Sequence, residues 1–538
     1  MADSDMIANN FKEHSVAEFF KKNRQMLGFS GKVRSLTMIV HEFVTNSLDA
    51  CEEAGVLPEI FVQVEELSKD NDHYRLTVRD NGPGIPKSHL GKALGQMLAG
   101  TKFHRYIQQR GQQGIGASAC VMFSYLTTGQ AAKAISCCNG KRISATISID
   151  FKNNKPIIED LGEEPTLESG LTVIAEFKDV RHERSNHGVY EYLRRTALAN
   201  PHCGITLIEP NNETAVFPRS VPQNPRKAFE IKPHPLGIGT HDILEFAKLN
   251  KENKRISAFL QNTFSRVSAA KVDELQGLIP EVDFKKDPAD MTWNDAELIV
   301  KSFSKVKWIA PAMDSLVPIG KEQIETSFRN IFNPEVLVVT ERSPKVYRGG
   351  IPFMVEVGIA YGGGLVSAEK RGEVMRFSNR VPLLFDNGGC AITETIKSID
   401  WKRYDVKNFD EEPLAVLVNL ASVHVPYTSA GKQAISIEED VMDEIRFAVM
   451  EASRGVQKYL SGKRKAHEIA TKKKVVERYA SQLASDLAVL SGKKRSEIEP
   501  KIAKIIHDKY ASEANEEEEA KPPENPADKA ESEGGDEE

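Results

Sequence analysis

Cysteine is scarce in this chain: six residues in 538, none arranged as C-x-x-C, which argues against a disulfide framework and against a zinc site. Cys137 and Cys138 are adjacent and Cys120 lies in an apolar stretch, so reduced, buried thiols are expected. No apolar run is long enough to span a bilayer, and the polar, acidic start carries no charged-then-apolar leader. A cytoplasmic protein with no membrane partner is expected. A basic excess is also missing. Lys and Arg number 71 against 77 Asp and Glu, a net charge of −6, which excludes a uniformly basic surface for nucleic acid but not a locally positive inner channel. Finally, no Walker loop of the form G-x-x-x-x-G-K-[ST] occurs.

What is present is a set of three segments in order: HEFVTNSLDA from His41 to Ala50, Asp80-Asn81-Gly82-Pro83-Gly84, and Gly111-Gln112-Gln113-Gly114-Ile115-Gly116. Leu36, Ile39, Val40, Phe43, Val44, Ser47 and Leu48 follow the i, i+3, i+4, i+7 spacing of a buried helical stripe, and Gly55 supplies a stop. Glu42, Asn46 and Asp49 share a second, polar face of that helix. An Asn one turn after a Glu is a poor helix-interior choice and suits metal chemistry better than a solvated face. Tyr74, Leu76 and Val78 alternate as a strand, and Asp80 points the same way. A carboxylate there can only accept hydrogen bonds, which fits the exocyclic amine of adenine and rejects guanine. Gly82 and Gly84 allow a tight turn near a flat base, although alone the segment reads as an ordinary hairpin turn. Gly111 to Gly116 precedes an apolar helix from Ala117 to Leu126 and would offer free N–H groups and a helix dipole to phosphates. Lys102 and Arg110 are near enough in sequence to add charge, with a surface role about as expected. Singly each segment is weak; together they point to an ATP site.

At 40% hydrophobic and 28% charged residues, a chain of this length exceeds one domain. Prolines 218, 222, 225, 233 and 235 break regular structure and mark a linker. Residues 229–307 carry helical signals, strands return from Trp308 in alternation with helices, and 471–538 is charged, basic first and then acidic from Glu513. The acidic end is expected to be disordered. The stripe Val441, Ile445, Ala448, Val449, Ala452, Val456, Leu460 reads as a helix packed on a core over its first half.

The Glu-x-x-x-Asn, Asp-x-Gly-x-Gly and Gly-x-x-Gly-x-Gly set resembles the ATPase fold shared by gyrase-type topoisomerases, mismatch-repair ATPases, sensor histidine kinases and a heat-shock chaperone class. Ser15 to Lys21, Lys232-Pro233-His234-Pro235, Asp400-Trp401-Lys402-Arg403-Tyr404 and Ser429-Ala430-Gly431-Lys432 narrow the resemblance to the B subunits of topoisomerase VI, the archaeal type IIB class, from about Ser15 to about Leu460. The resemblance implies an α/β multidomain chain: a Bergerat-type α/β sandwich ATPase domain with an amino-terminal dimerisation segment (1–228), an all-helical helix–two-turns–helix domain (229–307), an α/β transducer with an S5-like βαβ unit and long carboxy-terminal helix (308–470), and a charged extension (471–538). It implies ATP and Mg²⁺ as cofactors. Glu42 is similar to the family's general base, Asn46 to its magnesium ligand and Asp80 to its adenine reader. Asp49 resembles a polar residue supporting water or adenine, Thr172 the threonine behind the adenine carboxylate, and Lys432 the lysine reaching the terminal phosphate from a second domain. Gly82, Gly84, Lys102, Gly111, Gln112, Gln113, Gly114, Ile115 and Gly116 complete the nucleotide contacts so implied. Implied partners are the topoisomerase VI A subunit, which cleaves DNA, a second copy joined by ATP-dependent dimerisation in an A2B2 heterotetramer, and double-stranded DNA, whose passage relaxes supercoils and decatenates. A repair- or chaperone-type ATPase clamp is the alternative.

Overall fold

The computed structural model describes residues 18–19, 22–99, 106–111, 114–366, 372–429 and 431–518. These form two compact units, 1–400 with 408–453 and 401–407 with 454–538.

After a 3₁₀ turn at Arg24–Leu27, the first unit holds helix α1 (Lys32–Ala54), which ends where Gly55 adopts a left-handed φ of 75° and its N–H bonds back to the carbonyls of Cys51 and Glu52. Strands β1 (Glu59–Ser68) and β2 (His73–Arg79) follow, then helix α2 (Lys87–Gly95), helix α3 (Gly116–Thr128), strands β3 (Ala132–Cys138), β4 (Lys141–Asp150), β5 (Lys155–Pro165) and β6 (Gly170–Phe177), helix α4 (Val189–Ala199), and strands β7 (Gly204–Ile208) and β8 (Thr214–Phe217). They build one eight-stranded sheet in the order β5-β4-β3-β6-β2-β1-β7-β8. Burial alternates along β1, β2 and β4, so one face of the sheet carries the helices and the other stays open. Leu36, Ile39, Val40, Phe43, Val44 and Leu48 are buried in the core between helices and sheet, the stripe expected from their spacing.

Four helices come next: α5 (Thr240–Leu249), α6 (Ile256–Thr263), α7 (Ala269–Leu278) and α8 (Trp293–Phe303). They enclose a separate core around Ile243, Phe259, Leu260, Phe264, Leu275, Ile299 and Phe303. Thr292 caps α8 through a reciprocal box with Asp295.

A second α/β layer holds helix α9 (Lys321–Phe332), strands β9 (Val336–Glu341), β10 (Lys345–Tyr347), β11 (Ile351–Tyr361), β12 (Glu373–Ser378) and β13 (Val381–Pro382), helix α10 (Ala391–Lys397) and strand β14 (Leu414–Ser422). The sheet order is β10-β11-β14-β12-β13, with β9 also pairing β11. β12 and β14 run parallel with α10 between them in sequence, a βαβ crossover. Strands β11 and β14 are buried on both faces, which explains their near-continuous apolar sequence. Leu384 and Phe385 leave this layer and enter the core of the first sheet.

Helix α11 (Glu439–Ser491) is continuous. Val441, Ile445, Ala448, Val449 and Ala452 on it are fully buried, and the first unit ends at Ser453. The expected boundary at 470/471 falls inside this helix. In the second unit Asp405 accepts hydrogen bonds from Ser461 Oγ at 2.5 Å and Arg464 Nη1 at 2.7 Å. Helix α12 (Arg495–Glu518) includes the first acidic residues after Glu513; the rest of the acidic tail lies outside the described residues. Among the described residues no helix is long and apolar enough to cross a membrane.

Candidate functional site

A cleft of about 360 Å³ opens where α1, α2, the end of β2, the start of β6 and the start of α3 meet. Its lining includes Glu42 and Asn46 from α1, Asp80 and Gly84 from the β2 end, Gly111, Gly114, Ile115 and Gly116 from the glycine loop, and Gly431 and Lys432 from the second α/β layer. Residues nearly four hundred positions apart thus share one cavity.

Asp80 forms the floor. Its Oδ1 accepts the N–H groups of Gly82 at 3.0 Å and Leu171 at 3.1 Å, and its Oδ2 accepts Ser47 Oγ at 2.7 Å. Burial pushes its pKa up, against the pull of these three donors. A carboxylate has about four acceptor positions, so it can take one further donor from a base in the cleft. Gly84 has φ +68°, and a Cβ there would stand 2.5 Å from the Cys137 carbonyl; only glycine fits.

The opposite wall carries Glu42, the glycine loop and Lys432. Helix α3 begins at Gly116 with no side-chain cap, leaving its first N–H groups without intrahelical partners at the cavity edge. A Cβ on Gly116 would overlap the Glu42 carboxylate, so that carboxylate lies against the helix start. A Cβ on Gly111 would be 3.9 Å from Asn46 Oδ1, which places the Asn46 amide at the loop. Lys432 sits in left-handed backbone, φ 52°, near the tip of a loop closed by the Tyr427–Ile435 bridge, and its Nζ donates to the Arg110 carbonyl at 3.4 Å. His41 behind Glu42 has its pKa lowered by burial, partly opposed by Glu42.

Three expected site residues, Gly82, Thr172 and Asp49, are not among the cleft lining, although the Gly82 N–H holds Asp80 from behind. Thr172 pairs with Arg79 across β2 and β6, so its side chain lies on the open face of the sheet; Leu171 and Val173 face the cleft, and the backbone N–H of Leu171, with Ser47, supports Asp80 instead. Asp49 is not in the cleft lining. Its carboxylate accepts Arg110 Nη1 at 2.8 Å, with side-chain exposures of 9% and 3%. Arg110 is therefore not a surface residue, and its guanidinium is turned to Asp49 and Glu52: burial works against its charge, but Glu52 and Asp49 outweigh it and raise its pKa. Lys102, Gln112, Gln113, Ala430 and most of Ser15 to Lys21 lie outside the described residues. Ser47, which supports Asp80, was read only as part of the buried stripe of α1; a hydroxyl in that otherwise apolar stripe was the available signal.

No group of three or more His, Cys, Asp or Glu side chains able to hold a metal occurs among the described residues. Beside the glycine loop the cleft offers the Asn46 amide and the Glu42 carboxylate, a sparse oxygen pair that suits a cation retaining waters and substrate oxygens.

A buried carboxylate with acceptor capacity to spare, a glycine loop feeding a helix start and a helix carrying Glu and Asn suit an ATPase of the type shared by histidine kinases, gyrase B and HSP90; residues 31–178 match the profile of that family, described as histidine kinase-, DNA gyrase B-, and HSP90-like ATPase. Residues 311–473 match the topoisomerase VI B subunit transducer. The chain is 43% identical to the type 2 DNA topoisomerase 6 B subunit of Pyrococcus horikoshii over 95% of its length and 97% of that protein. It is 44% identical to the corresponding protein of Methanothermobacter thermautotrophicus over 90% and 94%. It belongs to the family of type 2 DNA topoisomerase 6 B subunits, the ATPase chains of the type IIB topoisomerases. Of solved structures, the 43K ATPase domain of Thermus thermophilus gyrase B in complex with an aminocoumarin is similar at a TM-score of 0.38 and 14% identity, over 85% of this chain and 96% of that one; the family assignment rests on the sequences.

Proposed function

We propose that the cleft binds ATP with Mg²⁺ and hydrolyses it, and that hydrolysis gates the passage of one DNA duplex through a break made by a separate chain. The observation that carries this reading is that Lys432, from the transducer layer, lines the same cavity as Glu42, Asn46 and Asp80. Asp80 accepts the adenine amine. The backbone of Gly111, Gly114, Ile115 and Gly116 cradles the phosphates, with Lys102, Gln112 and Gln113 as further contacts by family resemblance. Glu42 orients water and takes its proton as general base. The Asn46 oxygen would hold magnesium, which supplies neutralising charge at phosphate oxygens when bound. Lys432 Nζ stabilises charge on the terminal phosphoryl group, and because it belongs to another layer it makes the layer's placement depend on nucleotide.

ATP would draw two copies together through their amino-terminal regions, and with the DNA-cleaving topoisomerase VI A subunit the assembly would be an A2B2 heterotetramer acting in the cytoplasm. The relatives' designation as B subunits supports a partner chain. Domain limits near 228, 307 and 470 are part of this proposal. The test is to isolate the chain under mild conditions from its own cells and identify its stoichiometric partner. A partner that joins DNA through a tyrosine is expected; a covalent DNA adduct on this chain itself would overturn the division of labour.

A further inference from the structure

Strands β12 and β13 are joined by a turn of only two residues. Phe377 pairs with Pro382 and Ser378 with Val381, which leaves Asn379 and Arg380, with φ of 48° and 66°. Two positive φ values are the type I′ hairpin geometry, for which Asn-Gly is strongly preferred. Asn379 suits its place. Arg380 does not, because a Cβ in left-handed backbone crowds the following carbonyl. Glycine would serve the turn better, so the reason for arginine is to be sought in its side chain.

That side chain crosses into the first α/β layer. Arg380 Nη2 donates to Glu52 Oε2 at 2.9 Å, in the last turns of α1. The same carboxylate takes the fork of Arg110, at 2.6 Å to Oε1 and 3.1 Å to Oε2, and His202 Nε2 at 2.8 Å. Arg110 also donates to Asn200 Oδ1 at 2.6 Å, and Asn200 Nδ2 returns a bond to the Arg380 carbonyl at 3.0 Å. With Asp49, two guanidinium groups face two carboxylates, and side-chain exposures run from 3% to 15%. Excluded from water, such a network fixes orientation more than it adds stability.

Arg110 is also the residue whose carbonyl receives Lys432 Nζ, and it directly precedes Gly111. Its two predecessors are held to the same layer as Arg380. Gln108 exchanges bonds of 2.7 and 2.6 Å with the backbone of Val317, and the Gln109 carbonyl accepts Asn379 Nδ2 at 3.2 Å. The β12–β13 turn therefore holds the segment that opens the phosphate loop directly through Asn379 and, by way of the Glu52 carboxylate, through Arg380.

We propose that Arg380 is a positioning residue for ATP hydrolysis, acting through Glu52 and Arg110 to fix the segment that receives Lys432 and begins the phosphate loop. The inference rests on the reading of the cleft as an ATPase site. It makes the β12–β13 turn a route by which the transducer layer alters turnover without touching nucleotide.

The test uses the full chain, its R380G, R380K and K432A variants, and the R380G/K432A double variant. R380G suits the turn and leaves Glu52 paired with Arg110, so its unfolding midpoint should stay near that of the parent. Its kcat should fall about tenfold with KM for ATP changed less than about threefold, and R380K should recover part of the loss. On the K432A background the same change should cost less than about twofold, because the two act on one step. Parental kcat in R380G, or a full tenfold loss persisting beside K432A, would overturn the inference. A parent chain that turns over no ATP would instead remove the ATPase reading and this inference with it.

Discussion

Asp80 is held by three protein donors, from Gly82, Leu171 and Ser47, and its remaining acceptor capacity is what the proposed reading of adenine uses. In Asp80→Asn an amide N–H₂ replaces one oxygen, so either Ser47 or the adenine amine meets a donor instead of an acceptor. ATP should bind more weakly and the preference over GTP should shrink, measured by competition; an unchanged preference would withdraw the base-reading role. Glu42→Ala should keep nucleotide binding and lose about 10²–10⁴-fold in hydrolysis, the range for a positioned base; lost binding would make Glu42 structural. At this scale the sequence was legible where a residue acts along its own element. Helical and strand periodicity set Glu42, Asn46 and Asp80 on faces that turn out to line one cleft. Thr172 stands between Leu171 and Val173, which line the cleft, and in a strand one position is the other face. Asp49 shares a helix with Glu42, but its partner Arg110 is distant in sequence, and an ion pair across that separation leaves no periodic trace.

Helix α3 and the glycine loop before it show how an element prepares a site. Gly116 lets the helix start touch the Glu42 carboxylate, since any Cβ would occupy its place. Gly116→Ala should leave the fold intact, because Ala is a good helix former and the Glu side chain can rotate away. Hydrolysis should drop at least about tenfold, as catalysis depends on geometry held to a fraction of an ångström. Equal turnover in the variant would show that the carboxylate need not sit there. The helices α1 and α3, the strand entering Asp80 and the helical segment after the prolines were readable from periods of 3.6 and 2. Strand β12 was not, because Glu373 to Ser378 carries a Glu and an Arg in a short run. Arg376 is nonetheless buried, with Nη2 donating to the carbonyls of Leu383 and Phe385 at 2.8 and 2.7 Å. The Asn379–Arg380 turn was equally silent, lacking the glycine that marks such hairpins.

Across the whole molecule, buried histidines set the acid side of stability. Burial is the largest influence on His41, His182, His202, His234 and His424 and lowers each pKa below the ordinary 6.5. A folded-state value below the unfolded one means that the unfolded chain binds more protons, so stability is whole above about pH 6.5 and declines as pH falls through the folded values. Glu52 adds to the same trend further down: burial opposes its charge, but Arg110 and Arg380 hold it well below 4.5. The unfolding midpoint should therefore fall between about pH 7.5 and pH 5.5, and a flat or rising profile would contradict neutral burial of these imidazoles. On the proposed function, two α/β layers distant in sequence complete one ATP site through Lys432. Steady-state ATP turnover by Lys432→Ala, with nucleotide affinity measured alongside, tests it most directly. Turnover should fall by roughly 10²-fold while affinity stays within a few-fold; turnover equal to that of the parent chain would take the lysine, and with it the shared site, out of the account.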